Sequence, residues 1–383
     1  MQLMRRAGVR LLLLLTAMLP GMPGWAAVLP EDRADVMYHG YDGGGLQVNG
    51  PSVLVRKAYK DKVSVWANYY ADMISSASID VVTTASKYSE KRDEASVGVD
   101  YLRGKTFMGM SYTSSEESDY SAQSFRLGVS QDFFGDLTTL GLTYARGRDE
   151  IRRNGDDTFR RNADRQNFRV DLTQVITKDM LVAIGYEGIT DEGYLNNPYR
   201  QVRFLDPNDA RGYAYEAEIY PSTKTSSAVA IRSLYYLPWR ASVRGEYRYY
   251  SDSWGVSAWN LEVGYVHPFD NGFTVEGRYR YYTQDAADFY SDLFPYQSAQ
   301  NFLARDKELA SFTNHVVGAG ASYRFDVRWL PFIKRSEINL FVDWMKFDYD
   351  DFRDVRVGGV TPGDEPLYGF ESLVFRAFLS VWF

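Results

Sequence analysis

Arginine and carboxylate recur at two-residue spacing through the middle of the chain, which places them together on one face of an extended strand. Ser242, Arg244, Glu246 and Arg248 share a face against Ala241, Val243, Gly245, Tyr247 and Tyr249. Thr274, Glu276, Arg278 and Arg280 repeat the division against Phe273, Val275, Gly277, Tyr279 and Tyr281. Assigning every candidate strand by parity collects ten arginines on the polar face: Arg56, Arg126, Arg169, Arg232, Arg244, Arg248, Arg278, Arg280, Arg324 and Arg376. Asp100, Asp171, Glu187, Glu246, Glu262, Glu276 and Asp343 join them, which leaves this face three positive and without lysine. A guanidinium keeps its charge and grips a carboxylate with two parallel hydrogen bonds. Two uses compete: opposite charges on neighbouring strands stiffen a wall, or unpaired arginines (Arg244, Arg248, Arg278, Arg280) form a positive strip that favours anionic solutes. The second use predicts a modest anion preference.

Other chemistry finds less support. His39, His267 and His315 are the only histidines, and they fall on separate elements without metal-ligand spacing. Cysteine is absent, which removes disulfides, thiolate metal sites and thiol nucleophiles. A catalytic triad assembles in space and not in sequence, but its only local hint is Asn314-His315. Loop acids cluster at Asp348, Asp350, Asp351 and Asp354, and at Asp285, Asp288 and Asp292. Neither run matches a twelve-residue calcium loop, so solvated loops are expected, with no metal and no cofactor. Trp254, Tyr281, Tyr282 and Trp329 lie near strand ends and read as interfacial girdles.

The elements that carry these faces are strands. The 383 residues include 30 Tyr, 22 Phe and 8 Trp at a net charge of −7. An aromatic load of this size in an otherwise polar chain points to β structure, with girdles if the sheet closes in a membrane. Residues 1–26 read as an export signal: Arg5, Arg6 and Arg10 precede the apolar run Leu11 to Leu19, and Gly24 and Ala26 suit cleavage. Its removal would take three arginines and no acid, giving −10, a balance that argues against a nucleic-acid partner. Beyond it, alternation marks sixteen strands, at about 34–41, 46–59, 62–72, 94–103, 105–114, 122–132, 137–149, 165–176, 179–190, 224–237, 239–250, 256–267, 272–284, 312–325, 336–348 and 370–383. The first is the weakest, and residues 27–45 could instead form a plug. Short turns such as Lys60-Asp61 and Asp270-Asn271-Gly272 alternate with longer polar loops at 73–93, 150–164, 191–223, 285–311 and 349–369. That wiring belongs to an all-β outer-membrane barrel, residues 27–383, with short periplasmic turns and long extracellular loops. The last strand alternates up to Phe383, and a terminal aromatic there resembles the signal that barrels present to the barrel-assembly machinery. A soluble edge strand of this length and apolarity would be prone to aggregation.

The segment Asp32-Arg33-Ala34-Asp35-Val36-Met37-Tyr38-His39-Gly40-Tyr41-Asp42-Gly43-Gly44-Gly45 is followed by Gly50-Pro51-Ser52-Val53-Leu54-Val55-Arg56-Lys57, Asn68-Tyr69-Tyr70 and Ser75-Ser76-Ala77-Ser78-Ile79-Asp80-Val81-Val82. Together they resemble a bacterial family of outer-membrane barrels catalogued as a domain of unknown function. The likeness runs along nearly the whole mature chain and is densest before residue 120. The resemblance implies an envelope redox or cofactor-linked setting, with a small lipoprotein or periplasmic redox protein as partner. The family has no agreed activity, so it transfers no catalytic residues. Physically, the three glycines suit a tight reversal, while Asp35, Tyr38, His39, Tyr41 and Asp42 could gather as one luminal or rim cluster. The function expected first is a pore or exporter for small polar or anionic solutes through an Arg-rich lumen. A non-conducting docking barrel comes second, and an outer-membrane enzyme is least supported.

Overall fold

The computed structural model describes residues 28–76, 88–327 and 329–383. The expected export signal, and positions 77–82 of the resemblance, lie outside the described residues. Sixteen strands close into one antiparallel barrel. In chain order they begin with β1 (Arg33–Gly43), β2 (Leu46–Tyr59), β3 (Val63–Ser76), β4 (Tyr88–Arg103), β5 (Thr106–Glu116) and β6 (Tyr120–Phe133). Next come β7 (Thr138–Arg153), β8 (Asp156–Thr177), β9 (Met180–Gly193), β12 (Thr223–Tyr236) and β13 (Ser242–Asp252). The last five are β14 (Ser257–Pro268), β15 (Phe273–Gln284), β16 (Phe312–Phe325), β17 (Arg335–Arg353) and β18 (Leu367–Trp382). Two more strands, β10 (Gln201–Leu205) and β11 (Tyr213–Ala217), pair with each other outside the barrel, inside the β9–β12 connection. Among the described residues no helix is long and apolar enough to cross a membrane; one 3-10 turn spans Lys307–Leu309.

Closure settles the doubt over the first strand. β1 pairs with β2 on one side (Arg33↔Arg56 to Gly43↔Leu46) and β18 on the other (Arg33↔Trp382 to Gly43↔Ser372), so it is a stave and not a plug. Each residue of β1 thereby has a register partner on both sides, which leaves no open sheet edge, as an apolar surrounding demands. Apolar residues on the outward parity, such as Val36, Val97, Ile231 and Leu340, lie about half exposed, as a lipid-facing belt would. Aromatic rings ring the belt at both ends: Trp259 and Tyr281 pack at 5.2 Å on one side, Phe273 and Tyr323 at 4.5 Å on the other.

The loop pattern needs correcting. Residues 150–164, expected as a loop, instead continue β7 and β8 as a hairpin turning at Gly155, where φ is +83°. Gly155 adopts without strain a conformation that most side chains resist. The expected loop at 73–93 is also shortened, because 73–76 continue β3 and 88–93 begin β4. Among the described residues the long extracellular connections are 194–222, 285–311 and 354–366, beside short hairpins at Gly44-Gly45 and between β5 and β6. On the periplasmic side, Lys60 and Asp61 both take φ of +52°, the geometry that matches strand twist in a two-residue hairpin.

Candidate functional site

The register places all ten arginines, with Glu246, Glu262, Glu276 and Asp343, on the inward face, since residues paired across adjacent strands point the same way. Most are joined into ladders. Arg56 bonds Asp100. Arg169 reaches Asp171 through two bonds of 2.6 and 2.9 Å. Arg232 lies 2.5 Å from Glu246 and 3.6 Å from Asp171. Arg248 crosses β12 to Glu187 at 3.4 Å. Asp343 is shared by Arg278 at 2.7 Å and Arg376 at 2.9 Å. A Cβ on Gly318 would sit 2.2 Å from the Asp343 carboxylate and 2.8 Å from Arg278 Cγ, so only glycine lets this pair lie flat on the wall. Arg324 and Glu337 meet loosely at 3.7 Å near the periplasmic end.

Two expectations fall here. Of the supposed unpaired strip, Arg278 and Arg248 are compensated, and Arg244 stands 3.9 Å from both Glu262 and Glu276. Arg280 has no ion pair with any described residue, and neither has Arg126. The positive excess also disappears. Asp35, Asp72, Glu90, Glu94, Asp132, Asp149, Asp191, Asp252 and Glu337 share the inward parity, as do Arg33, Arg92, Arg161, Arg165, Lys224 and Arg335. A lysine thus does enter the lumen, 2.9 Å from Asp252. Glu90, Arg92, Asp191 and Asp252 sit where the strands run further than their alternation shows, whereas Asp72, Asp132 and Asp149 stand on the last residues of the expected strands.

The N-terminal segment is not one cluster, because period two splits it. Asp35, His39 and Tyr41 face inward; Tyr38 and Asp42 face outward, bonded to Asn49 at 3.1 Å and Gln47 at 3.1 Å. Asp35 pairs with Arg33 at 3.0 Å. His39 is buried, 2.8 Å from Asp72 and 2.9 Å from the Tyr70 hydroxyl, and stacks on the Tyr70 ring at 4.8 Å. Gly44 and Gly45 supply the left-handed turn, with φ of +58° and +78°. Gly43 does not: a Cβ there would collide with Ser372 at 2.0 Å.

The other histidines take interfacial places. His267 bonds Tyr265 at 3.0 Å, and His315 bonds Tyr279 at 2.8 Å on the outward face. Asn314 faces inward and donates to the Lys346 carbonyl at 3.0 Å, so Asn314-His315 cannot form a common site. Tyr282 also faces inward and Trp254 is buried in the cap beside Tyr220 and Phe289, so neither belongs to a girdle; Trp329 is exposed at a periplasmic turn. Phe383 closes the seam, its N–H donating to the Asp32 carbonyl at 3.3 Å under the Lys57 ammonium.

The loop acids mostly serve the extracellular cap. There β10 and β11, the 285–311 connection and the 354–366 connection interlock. Arg203 is fully buried and bonds both Asp292 and Glu365; Arg305 also reaches Asp292, at 2.8 Å. Burial pushes the Glu365 carboxyl up, but the bonds from Arg203 and the Gly363 N–H outweigh it and hold the group below the usual range. The cap reaches across the mouth: Tyr199 donates to Asp119 at 2.5 Å on one side, and Gln284 donates to the carbonyls of Glu308 and Ala310 at 3.0 and 2.8 Å on the other. Ala310 and Phe312 seat the 285–311 connection on an inward apolar cluster with Tyr41, Val48 and Phe347. One acidic group escaped the sequence reading: Glu90, Glu117 and Asp119 are buried with carboxylate oxygens within 4.8 Å of one another, and Ser118 donates to Glu90 at 2.8 Å. These come from two hairpins and have no common sequence spacing.

A closed antiparallel barrel with an apolar outer belt, aromatic rims and a charged interior is an outer-membrane β-barrel, and the bacterial outer membrane is where this protein resides. A family described as "Protein of unknown function (DUF3570)" matches residues 158–330, which meets the expectation of a family without an assigned activity. The match covers nearly all of β8 and continues through β16, including β10 and β11, and lies downstream of the N-terminal segment that carries the resemblance. No curated protein matches the chain. Among solved structures the chain is similar to "Bacterial polysaccharide outer membrane secretin" (9% identity, 93% of this chain and 100% of that one, TM-score 0.47). It is similar also to a FadL homologue of Pseudomonas aeruginosa (10%, 93% and 91%, 0.43) and to the CymD monoaromatic hydrocarbon channel (10%, 93% and 89%, 0.44). These likenesses concern barrel form, and no cargo is carried over from them.

Proposed function

We propose that the barrel is a capped passage for small polar solutes. One observation carries this reading: inward-facing Arg232, Arg244 and Arg248 keep 33%, 40% and 31% of their side-chain surface accessible although they line the interior. Charged groups left this open inside a barrel require water around them. The wall of β5 to β7 supports it, because apart from Arg126 its inward face carries small residues such as Ser111, Gly128, Thr143 and Ala145, where β13 to β15 carry long side chains. With acids and bases nearly balanced, the passage discriminates weakly between small ions, in place of the anion preference read from the sequence.

The buried latch of the cap favours a second reading, a closed barrel that serves as a docking body. Planar-bilayer recording separates the two. A passage gives low conductance in the wild type and clearly higher conductance in Glu365→Ala, where the Arg203 latch is broken. Silence in both proteins, with the barrel folded by heat-modifiable migration, sinks the passage and leaves the docking body.

A further inference from the structure

Most inward arginines have an acid to hold them, so an exception is informative. Arg280 on β15 makes no hydrogen bond or ion pair with any described residue; its Nε is enclosed without a partner. Its two terminal nitrogens are not enclosed in this way, and the side chain as a whole is half-buried on the inward face. The acid beside it, Glu262, is its register partner, but leans toward Arg244. One row nearer the cap, Arg248, Asn260 and Tyr282 stand side by side on β13, β14 and β15. The Asn260 side chain likewise bonds to no described residue and lies diagonal to Arg280, roughly 7 Å away across the sheet. Arg248 is held by the 3.4 Å contact to Glu187 and lies over the Tyr250 ring at 5.8 Å. Two guanidinium groups and an amide, two of the three unclaimed, therefore converge beneath Gln284, the residue that grips the cap.

We propose that Arg280, Asn260 and Arg248 form an oxyanion subsite in the lumen, just under the cap, for the carboxylate or phosphate group of a small solute. The donors suit it: planar guanidinium groups match two oxygens at once, and Asn supplies a neutral N–H that adds grip without further charge. The subsite deepens the passage reading and rests on that lumen being open to solutes. It also explains how a lumen without net positive charge could still select: by one local site and not by overall field.

The test is calorimetric titration of the full folded chain in detergent, with inorganic phosphate in one arm and acetate in the other. Binding is read directly, so a barrel that fails to conduct but binds would refute the passage and spare the subsite. The wild type should bind at least one of the two, the tighter arm naming the oxyanion. Arg280→Gln should weaken that binding roughly tenfold, the loss of one charge-assisted contact. Asn260→Asp, which places a like charge at nearly the same volume, should abolish it; this second variant keeps the test alive if Arg280→Gln fails to fold. No binding of either anion by the wild type overturns the proposal. So does an equal loss in Arg126→Gln, since Arg126 faces the lumen from β6 without an acid and would report a diffuse charge effect only.

Discussion

The cap and the lumen use the same pair of groups under opposite conditions. In the cap, Arg203 is fully buried and its partners Asp292 and Glu365 nearly so. In the lumen, Arg232 and Glu246 make a bond of similar length but each keeps about a third of its side chain in contact with water. A buried pair has lost its hydration, so removing one partner strands a charge that nothing else can solvate. A wetted pair falls back on water. The difference teaches that the cap is fastened by its charges, whereas the lumen is lined by them.

Breaking the comparison begins with Arg203→Ala, which leaves Glu365 buried without its guanidinium partner and Asp292 held by Arg305 alone. The expected cost is about 3–5 kcal/mol, confined to the cap, so limited proteolysis should cut within 194–222 while the barrel keeps its heat-modifiable migration. A barrel that unfolds as a whole would mean that cap and staves are one cooperative unit. Asp343→Asn is intermediate. Asp343 is buried in the lumen wall and serves both Arg278 and Arg376, so urea denaturation should show a loss of about 1–3 kcal/mol. Arg232→Gln, in the wetted ladder, should cost about 1 kcal/mol or less in the same assay. A loss as large as that of Asp343→Asn would show that the lumen is drier than its exposure indicates.

Acid sharpens the contrast further. Glu365 has a depressed folded-state value, so its contribution to the cap is complete above the ordinary glutamate value of about 4.3. That contribution is lost as pH falls through the lower folded value, because the unfolded loop then binds the proton more readily. Asp354, held low by its bonds to Arg356, acts in the same direction. Protease protection of the cap should therefore decline as pH drops below about 4, and Glu365→Gln should flatten most of that decline. Smallest of all, Trp329→Ala removes one exposed ring at a periplasmic turn, and an interfacial anchor of this kind should shift stability by under about 1 kcal/mol.

How far the sequence could be read depended on the range of the interaction. Strand β15 was legible because Phe273 to Tyr281 alternate without interruption, and the outward aromatic face leaves no second register. Strands β10 and β11 were missed. They are five residues each, and Val202 and Phe204 are buried by Phe294 and Leu303 from another loop, so alternation within them is too short to register. Residues 150–164 looked like a loop because they are polar, yet a ribbon beyond the membrane needs no apolar face. The N-terminal cluster was drawn too wide for the opposite reason: nearness in sequence was read as nearness in space, although adjacent strand residues point apart.

Period-two alternation is a local property, and by itself it determined the staves, the apolar outside, the charged inside and hence the outer-membrane barrel. Which charge meets which did not follow from it. Arg203 finds Glu365 across 162 positions and Arg278 finds Asp343 across 65, distances that only barrel closure and loop docking bring to contact. The tertiary structure alone decided that the arginines are mostly paired, that the cap is latched from within, and that Arg280 is left over.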